Sequence, residues 1–379
     1  MNRIGWLDTM RVLALLLVLI SHFAYRANAI PSIHEFISQY VLFIGQIGNM
    51  LFFAVSGYLA ANSLERTKSI FEFYRRKIIR ITVPYTFAYI ILCIILLFLG
   101  IFEPKITDPL PLKTYLADEN YFGIFLGMLP VASDFNLIKI LDLSACRMIG
   151  EWFIGTIIWL YLISPLLFKI LNQKFFATFI SAIIIAGFTY DFTPPLEEAG
   201  VIAESTILFP VWIPSFLLGM ILHLYRNFIL NNLKNLTTIS IFLSVVLIFY
   251  SIYHNVDAVS IWEKIILGNP INFWQYMFAN VLFVYFLYVI SKFLNGNFSK
   301  FCLKFNKLSN ISYVAMLIQN LVISGFFNLH QFTDIDKFGV IILLTLIILT
   351  VLSLSFVIHK IYKPIEEKLI RKEAISLGG

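Results

Sequence analysis

"GWLDTMRVLALLLVLISHF", residues 5–23, is a strongly apolar run that nevertheless contains an Asp, an Arg and a His. A helix of about 20 such residues crosses the hydrocarbon core of a bilayer, which is about 30 Å thick. Asp8 and Arg11 are three residues apart and share a helix face, where opposite charges lower the cost of holding each one near lipid. The run therefore predicts a transmembrane helix whose ionisable face looks into the protein.

The rest of the chain also has the composition of a membrane protein. Of its 379 residues, 59% are hydrophobic and 13% are charged, against about 45–50% and about 25% in soluble domains. Apolar runs recur along the whole length, and no stretch between them is long enough to fold alone. We expect one all-α integral-membrane domain over residues 1–372 and a short cytosolic tail at 373–379.

Ten apolar segments are predicted to span the membrane as a single helical bundle. They lie near residues 6–28, 36–62, 78–102, 152–171, 173–191, 205–225, 236–254, 271–294, 309–329 and 338–362. With this order, 20 Lys and Arg residues fall on the inner side and 7 on the outer side, whereas acidic residues divide 5 inside and 16 outside. The positive-inside rule therefore predicts that both termini are cytosolic.

Composition also bears on the location and partners of the chain. The basic residues are spread over short inner loops, which favours contact with membrane lipid over binding of nucleic acid. Cys93, Cys146 and Cys302 show neither disulfide nor zinc-site spacing, so we expect no metal. The Lys/Asn/Ile-rich usage indicates a bacterial cytoplasmic (inner) membrane.

The longest predicted external loop, residues 103–151, contains the apolar stretch "YFGIFLGMLPVA". This stretch is too short to cross a bilayer. A re-entrant or interfacial element that covers a site from outside and a packed connector are both compatible with it.

His22 follows Arg11 by eleven residues, which is about three helical turns and about 16 Å of rise. Arg11 and His22 therefore lie on nearly the same stripe of the first helix. Ionisable residues inside a span favour a functional site. The alternatives are an ion pair near the inner surface and a satisfied polar core histidine.

Motifs along nearly the whole chain resemble those of the acyltransferase-3 family of membrane acyltransferases. The first span matches its Asp-x-x-Arg signature, with ten residues between the Arg and the His. Four further segments follow in the family's order, namely "FFAVSGYLAANS" (52–63), "FYRRKIIRITVPY" (73–85), "WFIGTIIWLYLISPLL" (152–167) and "LSNISYVAMLIQN" (308–320). "IYKPIEEKL" near the end is a weaker match. Met316 and Gln319 depart from the Tyr and His that the family often has, and the acidic pair of the branch fused to an esterase-like domain is absent after Trp152.

The resemblance implies transfer of an acyl group, usually acetyl from acetyl-coenzyme A, to a hydroxyl of a carbohydrate or lipid-linked glycan such as a surface polysaccharide or O-antigen. His22 would be the general base, either directly or through an acyl-histidine, with Arg11 and Asp8 in support. Six cations at 65–80 would face the cytosolic donor, although inner loops are generally basic. The donor-binding candidates are Arg75, Arg76, Lys77, Arg80 and Ser56. The acceptor-side candidates are Glu151, which could also fix the tautomer of His22, Trp152, Tyr161 and Gln319.

Two other classes of protein compete with this interpretation. A secondary transporter or glycan flippase would also bury Asp, Arg and His, but it predicts related halves and matched broken spans, which the sequence lacks. A lipid-linked-sugar glycosyltransferase predicts a pair of carboxylates in the first outer loop, where only Glu35 occurs.

Overall fold

The computed structural model describes residues 5–27, 30, 44–67, 69–98, 118–146, 148–149, 152–203, 208–232, 288–289, 299–329 and 335–376. Every regular element in these ranges is a helix. Within the described residues, six helices are long and apolar enough to cross a membrane. The all-helical membrane architecture is thus confirmed, and the count of ten spans remains a prediction because 236–254 and most of 271–294 lie outside the described residues.

The helices overlap the predicted spans, and three of them, Ile70–Phe98, Ser299–Leu329 and Lys337–Ser376, extend eight or more residues beyond the predicted limits. The long ones are α1 (Gly5–Ala27), α2 (Ile44–Arg66), α3 (Ile70–Phe98), α6 (Trp152–Gln173), α7 (Phe175–Phe192), α9 (Phe209–Leu224), α11 (Ser299–Leu329) and α12 (Lys337–Ser376). Short helices lie between them, namely α4 (Tyr121–Gly127), a 3-10 turn (Pro130–Ser133), α5 (Phe135–Ile140), α8 (Pro194–Glu198) and α10 (Arg226–Asn231).

Two boundaries differ from the sequence prediction in a way that affects the site. α3 begins at Ile70, eight residues before the predicted span, so the cations from Arg75 to Arg80 lie on a helix and not in a loop. Phe73 and Lys77 are buried in this first part of α3, and this packing continues the helix beyond its apolar run. α12 likewise continues past its predicted end at 362 to Ser376.

α1, α2 and α9 form the tightly packed centre of the bundle. At Gly57 of α2 and Gly219 of α9, an added Cβ would lie 1.9 Å from the Phe216 carbonyl oxygen and 1.7 Å from the Ala54 carbonyl oxygen. Only glycine permits backbones to approach this closely. Phe53 meets Trp212 and Tyr58 meets His223, so α2 and α9 run in the same direction.

α1 also runs parallel to α11. Arg11 contacts Ser309 and His22 contacts Asn320, and both pairs are separated by 298 residues along the chain. Parallel packing of the first span with the ninth, and of the second with the sixth, is what the predicted topology requires. The cytosolic location of the termini remains a prediction.

The predicted external segment packs against α3 and α6. Tyr85 donates to the carbonyls of Gly127 and Ile149 at 3.3 Å, and Tyr89 donates to the Cys146 carbonyl at 3.0 Å. Side chains of α3 thus satisfy the carbonyls of Cys146 and Ile149, which lie outside regular elements, as irregular backbone within a membrane protein requires. The Trp159 indole of α6 adds a 2.6 Å hydrogen bond to Asp134.

Candidate active site on the shared face of α1

The first polar contact between α1 and α11 involves Asp8, Arg11 and Ser309. The Ser309 hydroxyl donates to Asp8 Oδ1 at 2.5 Å, and Arg11 Nη1 lies 3.4 Å from Ser309 Oγ. Arg11 Nη1 is also 3.6 Å from Asp8 Oδ1. Asp8 is buried, whereas 30% of the Arg11 side chain is exposed. The carboxylate is therefore fixed from two sides, and the guanidinium can still reach a ligand.

The second polar contact joins His22 to Asn320 farther along the same two helices. His22 Nδ1 lies 2.8 Å from the amide oxygen of Asn320. His22 is half-buried and Asn320 is exposed, so this pair is not sealed in dry packing. Arg11 and His22 both contact α11, as their eleven-residue spacing predicts.

A cationic cluster surrounds Arg11 on the side of α3 and α6. The Lys77 ammonium is buried and lies 4.2 Å from the centre of the Tyr161 ring, a cation–π arrangement. The Tyr161 hydroxyl lies close to the side chain of Ser56 of α2. Arg11 and Arg80 both lie within electrostatic range of Lys77 and Tyr161. The structure thus brings together four predicted residues from α2, α3 and α6 beside Arg11.

The charge balance of this cluster favours an anion. Arg11 and Arg80 are the two charges that act on buried Lys77, and Asp8 forms an ion pair with Arg11. Partly buried excess positive charge creates a local potential that attracts phosphate groups.

The other two predicted cations of α3 are arranged differently. Arg76 forms an ion pair with Glu72 one turn earlier, so its charge already has a partner. Arg75 is half-buried and lies two residues before Lys77. Two residues turn a helix by about 200°, so Arg75 points away from the face that carries Lys77.

The predicted acceptor-side residues do not form one group. Trp152 packs on Trp212 and Phe53, with ring centres 5.2 Å and 6.2 Å away. Gln319 is fully buried, its Nε2 lies 3.7 Å from Met316 Sδ, and its Oε1 has no hydrogen-bond partner among the described residues. Glu151 lies outside the described residues, so its approach to His22 stays a prediction.

The polar residues occupy two heights along the bundle. Tyr161 lies beside Lys77 and Arg11, and Trp152 precedes Tyr161 on α6 by nine residues, about 14 Å of rise. His22 is about 16 Å farther along α1 than Arg11. α1 and α2 run antiparallel, because Gly45 faces Ser21 and Gly48 faces Val18. Phe53 of α2, and the Trp152 ring that packs on it, therefore lie between the heights of Arg11 and His22. We call Arg11, Ser56, Lys77, Arg80 and Tyr161 the lower layer, and His22 and Asn320 the upper layer.

Sequence reasoning missed Ser309 and Asn320, although both lie in the quoted motif "LSNISYVAMLIQN". The signal was their spacing. Ser309 and Asn320 are eleven residues apart, as are Arg11 and His22, and matched polar spacing on two helices predicts two contacts of parallel neighbours.

Comparison with known proteins identifies the family. The family model of acyltransferase-3, described as an acyltransferase domain, matches residues 4–360. No curated protein and no solved structure matches the chain. A match over nearly the whole chain supports a membrane acyltransferase activity in general terms, and the chain therefore belongs to the acyltransferase-3 family.

Proposed function

We propose that the protein transfers an acyl group, most simply acetyl, from acyl-coenzyme A to a hydroxyl of a carbohydrate or lipid-linked glycan. Membership in the acyltransferase-3 family supports acyl transfer within a membrane protein. The observation that carries the proposal is the alignment of Arg11 and His22 on one face of α1, both in contact with α11. One face of α1 therefore carries Arg11, which lies in the cationic lower layer, and His22, the proposed base.

The lower layer suits the phosphates of coenzyme A. Guanidinium groups bind phosphate oxygens through paired hydrogen bonds, and an ammonium adds a compact charge. Arg11, Lys77 and Arg80 supply these groups, and the hydroxyls of Ser56 and Tyr161 lie beside them. With the donor's phosphates held here, the pantetheine arm runs along α1 for about 16 Å toward His22.

The upper layer suits the chemical step. The acceptor hydroxyl oxygen attacks the thioester carbonyl carbon while the imidazole of His22 takes the hydroxyl proton. The new C–O bond forms, the C–S bond breaks, and the thiolate of coenzyme A leaves with the proton that the imidazolium returns. Such a general base contributes about 10²- to 10⁴-fold to the rate.

Asp8 and Arg11 support this step from the lower layer. The hydrogen bond from Ser309 and the ion pair with Arg11 hold the Asp8 carboxylate in place, and Asp8 in turn orients Arg11 toward the donor. A guanidinium here favours the negative charge of the donor's phosphate chain.

The acceptor approaches from the outer side of a bacterial inner membrane, and the product is a modified surface glycan. Trp152 lies between the two layers and carries an indole of the kind on which sugar rings stack. Glu151 and Gln319 remain candidates for hydrogen bonds to the acceptor.

The direct test uses purified protein in detergent with radiolabelled acetyl-coenzyme A and a panel of oligosaccharides. Wild type is expected to release coenzyme A and to label a sugar. His22→Gln, which keeps a polar side chain of similar size, should lower transfer by about 10²-fold or more while donor binding is retained. Full transfer by the His22→Gln variant would exclude His22 as the base.

A further inference from the structure

The contact between His22 and Asn320 determines which ring nitrogen carries the proton. An amide oxygen accepts hydrogen bonds and cannot donate them, so the 2.8 Å contact requires a proton on Nδ1 of His22. In the neutral imidazole, a proton on Nδ1 leaves the lone pair on Nε2. Asn320 thus selects the tautomer in which Nε2 is the basic atom.

Asn320 lies in a tightly packed part of α11, which keeps its side chain in contact with His22. Its neighbours Leu317, Ile318 and Gln319 are at most 1% exposed. The same two helices meet again at Phe23 and Phe327, with ring centres 5.7 Å apart, and at Asp8 and Ser309. The histidine contact is therefore bracketed on both sides by fixed contacts, which limits the freedom of the imidazole.

Few ionisable groups face His22 from the helices that pack against α1. α2 carries none from residue 44 to 57, α11 none from 314 to 329, and α12 none from 338 to 358. On α1 itself, Tyr25 and Arg26 follow within about one turn. The contact of the imidazole with α11 is consequently a hydrogen bond to a neutral amide and not an ion pair.

We propose that Asn320 is a positioning residue for acyl transfer, which holds His22 in the Nδ1-protonated tautomer with Nε2 directed at the acceptor hydroxyl. This inference rests on the proposed function. A neutral partner fixes the ring without stabilising the imidazolium as a carboxylate would.

Two variants of full-length protein separate this role from a packing role. Asn320→Leu keeps the size of the side chain and removes the acceptor, and it should lower kcat about 10- to 100-fold with the KM for acetyl-coenzyme A unchanged. Asn320→Asp keeps an acceptor and adds a charge that stabilises protonated His22. Asn320→Asp should keep the wild-type kcat at high pH. The fall of kcat on the acid side of the pH profile should begin at a higher pH than in wild type.

Thr345→Leu, a polar-to-leucine change on an exposed part of α12, is the matched control and should leave kcat and its pH profile unchanged. Thermal unfolding in detergent shows whether Asn320→Leu is folded, and the Asp variant keeps the test open if it is not. Wild-type kcat in Asn320→Leu, or an unshifted acid limb in Asn320→Asp, would overturn the inference. If either of these two results is obtained while His22→Gln is inactive in the same assay, only the role of Asn320 is excluded. If His22→Gln is fully active, the proposed function itself fails.

Discussion

Asp8, Arg11 and His22 of α1 are each held by a polar partner on α11. Asp8 and Arg11 both contact the Ser309 hydroxyl, and His22 contacts the side-chain amide of Asn320. The sequence predicts that Arg11 and His22 lie on one face because helix periodicity alone fixes that relation. It does not predict their partners, because the pairing of helices 298 residues apart depends on tertiary packing.

Also at the scale of single residues, Lys77 and Arg80 are expected to bind the donor in different electrostatic environments. Lys77→Met and Arg80→Gln should each raise the Kd for acetyl-coenzyme A by about tenfold or more, because each removes a charged contact to phosphate. Arg80 is exposed, so its contribution should shrink at high salt, whereas that of the buried Lys77 should persist. Isothermal titration at two ionic strengths measures both effects.

Lys169→Gln is the control for this comparison, because Lys169 is an exposed cation on α6 outside the lower layer. Unchanged donor affinity in both Lys77→Met and Arg80→Gln would remove the lower layer as a phosphate site.

At the scale of elements, the early start of α3 matters most for the site. Hydropathy predicts a basic loop before residue 78, yet α3 begins at Ile70 and carries Lys77 and Arg80 on one face, three residues apart. Hydropathy detects the part of a helix that faces lipid. It does not detect a helix that extends past the lipid and is held by tertiary contacts, such as those of buried Phe73.

The external segment is a second element whose packing the sequence left open between two interpretations. The Tyr89 hydroxyl donates to the Cys146 carbonyl, and Cys146 is fully buried. Burial also raises the pKa of the Cys146 thiol, so little reactive thiolate is present at neutral pH. Cys146 should therefore react slowly with thiol reagents, and faster as the pH rises.

Tyr89→Phe is expected to loosen this segment. Loss of a hydrogen bond worth about 1 kcal/mol should raise the labelling rate of Cys146 about fivefold with an impermeant maleimide, in a Cys93→Ser/Cys302→Ser background. Tyr74→Phe is the control, because the Tyr74 hydroxyl lies on the same helix but donates to the Leu162 carbonyl. In this variant, Cys146 should be labelled at the same rate as in the Cys93→Ser/Cys302→Ser background. An equal rate in the Tyr89 and Tyr74 variants would show that the hydroxyl of Tyr89 does not hold the segment.

At the scale of the whole molecule, the helix directions agree with the predicted order of the spans. α1 and α11 run in one direction, and α2 and α9 also run parallel to each other. Charge counting along the sequence predicts such an order because loop charges record which side each loop occupies. The two layers could not be predicted in this way, because Tyr161 reaches Lys77 only through the packing of α3 against α6.

The central claim is that a cytosolic donor reaches His22 through the lower layer and that the acceptor is modified from the other side. Radiolabelled acetyl-coenzyme A, which does not cross membranes, can be added to sealed vesicles prepared in either orientation from cells that make the protein. Inverted vesicles should label glycan, and right-side-out vesicles should do so only after permeabilisation. Equal labelling of intact right-side-out vesicles, or undiminished labelling of inverted vesicles that carry His22→Gln, would contradict the account.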